Sequence, residues 1–121
     1  MMLRDAIAEA DRIRPNAVTD ERKAELLERL EARFAEVQQV RPPAQSFPED
    51  RELLMPSPAD RAYVPWLCAM IDWEQLDMQL YQIDQAMFAE AYKDAVAWWR
   101  RHHIPVLNAD GSLYRPGGEV L

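Results

Sequence analysis

Glycine is scarce in this chain, three residues in 121, and cysteine scarcer still, with Cys68 alone. So little Gly, together with thinly spread β-branched residues, argues against a sheet. One thiol makes neither an intramolecular disulfide nor a thiolate zinc cluster, so a reducing compartment is expected. Positive charge is short as well: 14 Lys and Arg stand against 21 Asp and Glu, for a net charge of −7. Direct nucleic-acid binding is built on a basic surface, and an acidic one repels phosphate. No run of about 18 apolar residues is present to span a membrane. The N-terminal MMLRDAIAEADRIRP is broken by charges and lacks the apolar core of a signal peptide, so a cytosolic protein is expected at synthesis. Dinucleotide-binding, Walker and nucleophile-elbow patterns are missing too, and no catalytic, cofactor-binding or metal-binding residue is expected.

What remains is globular: 49% of the residues are apolar and 29% charged, on a length that suits one domain. The pattern predicts an all-α fold, a bundle of three to four helices over about 2–14, 19–40, 58–73 and 76–103. Residues 1–105 then form a single helical domain, with 41–57 a long proline-rich loop and 106–121 an extended C-terminal tail.

Leu3, Ala6, Ile7, Ala10 and Ile13 recur at helical spacing until Pro15 closes the first helix. Thr19 is placed to cap the second, with Asp20 and Glu21 facing its positive pole. Leu27, Leu30, Phe34 and Val37 then form a stripe of under three heptads, which reads as core-facing rather than as a coiled-coil seam. Five of the nine prolines fall between Arg41 and Pro58. That segment reads either as a docking loop or as a surface excursion pinned by Phe47 and Leu53-Leu54-Met55.

Ser57 before Pro58 signals a helix start, and Pro65 predicts a kink near Arg61 to Pro65. The run from Ser57 to Pro105 holds all four Trp, three of the four Tyr and no Gly. It must supply most of the core. Its later part carries Leu76, Leu80, Ile83, Met87, Ala91, Ala95 and Trp98 as a stripe, widened by Met78, Tyr81, Phe88, Tyr92 and Trp99. Such a face is too wide for one neighbour, and part of it is expected to meet another copy or another protein. The candidate interface residues are Phe47, Met78, Tyr81, Phe88, Tyr92, Trp99, Tyr114 and Leu121, the last two as anchors of the tail.

Other chemistry-bearing residues have plainer readings. His102 and His103 point about 100° apart on a helix and close its negative end with Arg100 and Arg101. Asp72, Glu74 and Asp77 lack a nucleophile or Gly-rich loop and read as a solvated helix face. Cys68 reads as a core thiol. The Trp98-Trp99-Arg100-Arg101 run has the composition of a base-stacking site, against which stands the acidity of the whole chain.

The order of these features resembles a family of small head-tail connector or adaptor proteins encoded by tailed phages and prophages. The residues that carry the resemblance are Asp11-Arg12-Ile13-Arg14-Pro15-Asn16, Pro58-Ala59-Asp60, Tyr63-Val64, Met70-Ile71-Asp72, Tyr81, Met87-Phe88, Ala91-Tyr92, Trp98-Trp99 and His103-Ile104-Pro105. Where the family typically has Asn-Gly after the M-I-D stretch and its aromatic, this chain has Gln75-Leu76. That leaves open whether the chain turns or only bends between Asp72 and Asp77. The resemblance implies a non-enzymatic virion protein that docks on the portal protein beside tail or head-completion proteins. It implies a homo-oligomeric ring, commonly of twelve copies, through which DNA passes without sequence-specific binding, and no membrane. Location would be the virion head-tail interface, with the host cytoplasm during assembly. The alternative is a small cytosolic helical scaffold or regulator that binds a protein through its aromatic helix.

Overall fold

The structure is a computed structural model that describes residues 1–103, together with the backbone of 106–107 and 113–114. Four helices form an all-α bundle: α1 (Leu3–Ile13), α2 (Asp20–Gln38), α3 (Tyr63–Glu74) and α4 (Met78–His102). Their order and extent follow the periodicity of the apolar residues. Val106–Leu107 (β1) and Leu113–Tyr114 (β2) pair antiparallel, Val106 opposite Tyr114, so the tail expected to be extended forms at least this short ladder. The rest of 104–121 lies outside the described residues.

The cap on α2 is the one anticipated: the Thr19 hydroxyl accepts from the Arg22 amide at 3.2 Å. Leu27, Leu30 and Phe34 are fully buried, so the α2 stripe faces the core. The start of the third helix differs from expectation. Ser57 is exposed, no side chain caps the turn after it, and a 3-10 turn over Ala59–Ala62 leads into α3. Pro65 then falls in the first turn of α3, where a missing amide removes no intrahelical bond, so the junction with the 3-10 turn takes the place of the predicted kink.

α3 is the central element, touching α1, α2, α4 and the 3-10 turn. Its Tyr63, Leu67, Cys68 and Ile71 are buried among Leu3, Ile7, Leu27, Leu30 and Phe34, each large apolar side chain contributing about 1.5–3 kcal/mol. The indole N–H of Trp66 donates to the Leu26 carbonyl at 2.7 Å and ties α3 to α2.

The proline-rich segment is fastened rather than loose. The Leu3 amide donates to the Arg51 carbonyl and the Leu53 amide to the Met1 carbonyl, both at 2.8 Å, joining the segment to the start of α1. Leu53 and Met55 enter the core. Glu31 of α2 is fully buried, but both its oxygens are engaged by Arg51 and one also accepts from the Leu54 amide at 2.8 Å. The Tyr63 hydroxyl accepts from the Met55 amide at 2.7 Å, and burial pushes its ionisation well up. A buried carboxylate satisfied by this many donors holds the loop by geometry. Of the two readings of 41–57, the pinned excursion fits.

Candidate interaction surface

The surface is set by how the chain enters α4. The Gln75 amide donates to the Ile71 carbonyl at 3.0 Å and the Asp77 amide to the Asp72 carbonyl at 2.9 Å, while Leu76 has φ of 59°. The chain therefore turns here, and α3 and α4 pack as a helical hairpin. Leu76 takes the left-handed angle that Gly or Asn adopts more easily, at a cost of about 1–2 kcal/mol. Asp77 starts the new helix, its carboxylate accepting from the Leu80 amide at 3.2 Å.

On the inner side of α4, Asp84, Phe88, Tyr92 and Ala95 are buried. Phe88 stacks on Tyr92 at 5.4 Å and lies 5.0 Å from Trp66, and Tyr92 meets Phe34 edge-on at 6.3 Å. The guanidinium of Arg33 covers both, 4.4 Å from the Tyr92 ring and 5.8 Å from Phe88. The outer side is different. Leu76 is 80% exposed, Met87 58% and Ile83 56%, and Trp73 and Met78 are exposed beside them. From Met78 to Ala89 the one charged residue is Asp84, and it points inward. The exposed positions around Ile83 and Met87 are Gln79, Gln82, Gln85, Ala86 and Ala89. Three turns of helix thus present water with amides, methyls and thioethers but no charge, on a chain 29% charged.

This arrangement reassigns several expected interface residues. Phe88, 5% exposed, and Tyr92, 8%, belong to the chain's own core, because Arg33 and Trp66 cover them. Trp99 is half-buried, edge-on to Phe34 at 5.9 Å and stacked on the His103 ring at 3.4 Å. Phe47 is half-buried beneath Arg4, 5.4 Å from ring to guanidinium. Tyr81 is half-buried against Trp73 at 5.2 Å, on the rim of the open face, and Met78 is on it. Tyr114 is in β2, its side chain outside the described residues, as is the whole of Leu121. Trp73, Leu76, Ile83 and Met87, exposed on this face, were not among the candidate interface residues, although Leu76, Ile83 and Met87 lie on the stripe read as too wide for one neighbour. For Ile83 and Met87 the signal is the scarcity of charge between Met78 and Ala89, where Asp84 is the one charged residue; Trp73 and Leu76 lie before that stretch, beside Glu74 and Asp77.

The acidic trio separates in space. Glu74 pairs with Arg22 at 2.8 Å and Asp77 caps α4, but Asp72 is fully buried, which corrects its reading as part of a solvated face. It lies near Arg14, whose guanidinium binds Asp84 through Nε at 2.9 Å and Nη2 at 3.0 Å. Asn16 completes this corner, donating to the Asp11 carboxylate at 3.0 Å and to the Arg14 carbonyl at 2.7 Å. Two stretches quoted for the resemblance, around Arg14 and around Asp72, therefore meet in the fold.

Cys68 is buried in the core and its thiol is pushed up to about 11, chiefly by burial, which leaves it unreactive. The rings of His102 and His103 each bond a carbonyl one turn back, Trp98 at 2.8 Å and Trp99 at 2.9 Å. Among the described residues no group of three or more His, Cys, Asp or Glu has the arrangement of a metal site. A hollow of about 240 Å³ between the 3-10 turn and α4 is lined by Pro58, Ala59, Ala91, Ala95 and Trp98 together with the charged Arg61, Asp94 and Arg101. No described helix is long and apolar enough to cross a membrane. No protein-family model, curated protein or solved structure matches the chain.

Proposed function

We propose that the chain is a virion structural protein of a tailed phage, an adaptor that docks on the portal and continues the DNA channel toward the tail. The observation that carries a protein-binding role is the charge-free outer face of α4 around Met78, Ile83 and Met87, which the exposed Trp73 and Leu76 extend. Large apolar and Met side chains exposed together, with charge withheld, are the composition of an interface core rather than of a solvated helix. The choice of partner comes from the ordered motifs of the sequence.

In this reading the copies form a ring, commonly of twelve, that contacts the portal and neighbouring tail or head-completion proteins. The acidic subunits repel the passing duplex and keep it from sticking. The role is assembly, without catalysis, cofactor or membrane, in the virion after synthesis in the host cytoplasm.

The test is co-expression with a phage portal protein, followed by electron microscopy. Decorated portal rings with the wild type, and bare rings with Ile83→Glu/Met87→Glu, are the expected result. A chain that never decorates portal rings sinks the proposal. If it instead captures a different soluble partner through the same face, the cytosolic scaffold replaces it. Flanking genes give a cheaper answer, since portal, capsid and tail genes accompany an adaptor and not a scaffold.

A further inference from the structure

Asp72 and Asp84 place two buried carboxylates on one guanidinium. Asp72 comes from the last turn of α3, Asp84 from the second turn of α4, and Arg14 from the residue that ends α1. Arg14 gives its bidentate bonds to Asp84. Asp72 Oδ1 is 3.5 Å from the same Nε, and neither oxygen of Asp72 finds a hydrogen-bond partner among the described donors.

The other charged groups nearby do not relieve this. Asp77 in the α3–α4 turn adds a negative charge, and the further acid on α1, Glu9, acts on Cys68 beside the site. On α3 itself Cys68 lies one turn back and holds its proton. α2 sends no cation: Arg22 is taken by Glu74 and Glu25, and Lys23 by Asp11 and Asp20. With both aspartates ionised the site would hold one uncompensated negative charge out of water, which is strongly unfavourable. Asp72 also sits at the negative pole of α3, where ionisation is disfavoured further.

We propose that Asp72 is held as the carboxylic acid, sharing its proton with the Asp84 carboxylate, and that this buried proton joins the end of α1 to the α3–α4 hairpin. A neutral site results, with Arg14 balanced by one carboxylate. Burial first, then the bond to Asp84 and its charge, push the Asp72 carboxyl up to about 7. Because that lies above the unfolded value, the linked stability is full at low pH and is lost as pH rises toward neutrality. Asp72 also accepts the Asp77 amide through its carbonyl and directly precedes Trp73, so its ionisation loosens the corner where the open face of α4 begins. The inference stands whatever that face binds.

The test is a carbon-13 NMR titration of the side-chain carboxyls in the full chain, with denaturant unfolding from pH 5.5 to 8 for the wild type and Asp72→Asn. The Asp72 carboxyl carbon is expected to stay protonated at pH 5.5 and to titrate near 7, away from the ordinary range near 4. The wild-type unfolding constant should rise by roughly tenfold or more over that range relative to the variant, whose amide needs no proton. Taking the difference cancels both histidines. An Asp72 carbon that titrates below pH 5, or parallel stability lines for the two proteins, overturns the proposal. If the variant does not fold, the carbon titration alone decides.

Discussion

The two sides of α4 are made of similar residues and meet different fates. Phe88 and Tyr92 inside, Ile83 and Met87 outside, are all large and apolar, yet the first pair is covered by α2 and α3 and the second faces water. Charge separates them in an unexpected sense. The inner side carries Asp84, the one charged residue between Met78 and Ala89, and the outer side carries none. A buried charge is tolerated because Arg14 reaches it, whereas a solvent-facing helix has every reason to carry charge unless a partner takes the place of solvent. The distribution of charge therefore marks the open face better than hydropathy does.

The comparison is broken most directly from the inside. Phe88→Ala removes the ring between Trp66 and Tyr92 and should cost about 3–5 kcal/mol in denaturant unfolding. Ile83→Ala, outside, should lie within about 0.5 kcal/mol of the wild type. Equal losses at the two positions would mean that the outer face is covered within the chain. Arg14→Ala strands two carboxylates and should cost about 3 kcal/mol at pH 8. The loss should be smaller at pH 5, where a proton on Asp72 removes one of the charges, and two denaturation curves measure it.

Tyr92→Phe sharpens the inner side. The Tyr92 hydroxyl is buried and finds no partner among the described residues, so deleting it should leave stability unchanged or raise it by about 1 kcal/mol. The smallest stability effect is expected for Ile83→Glu/Met87→Glu, within about 0.5 kcal/mol for surface positions, while partner binding measured by co-sedimentation is lost. Unchanged binding would move the interface elsewhere.

Much of this fold was legible. The α1 periodicity ends at Pro15, Thr19 caps α2, and the helix bounds agree within a few residues, because caps and apolar spacing are local properties. The α3–α4 turn was not, since its pivot is Leu76 at positive φ, a residue that carries no turn signal. The burial of Asp72 escaped as well: its neighbours Glu74 and Asp77 are solvated or capping, and the groups that enclose it are Arg14 and Asp84, far along the chain. The open face was legible only in part. Met78 and Tyr81 stand at the open face or its rim, but Phe88 and Tyr92 went inward, because a face wide enough for two neighbours does not state which arc each one takes.

By itself, the sequence determined that the chain is helical, that it has three to four helices, and where the break at Pro15 and the cap at Thr19 fall. Those depend on each residue's own backbone preferences and on spacing within a few turns. Only the tertiary structure decided that the chain folds back at Leu76, that Asp72 shares Arg14 with Asp84, and that Ile83 and Met87 are left facing water. These depend on which surfaces meet across the bundle, and the turn after Glu74, by returning α4 along α3, chose the arc of α4 that is buried and the arc that remains open.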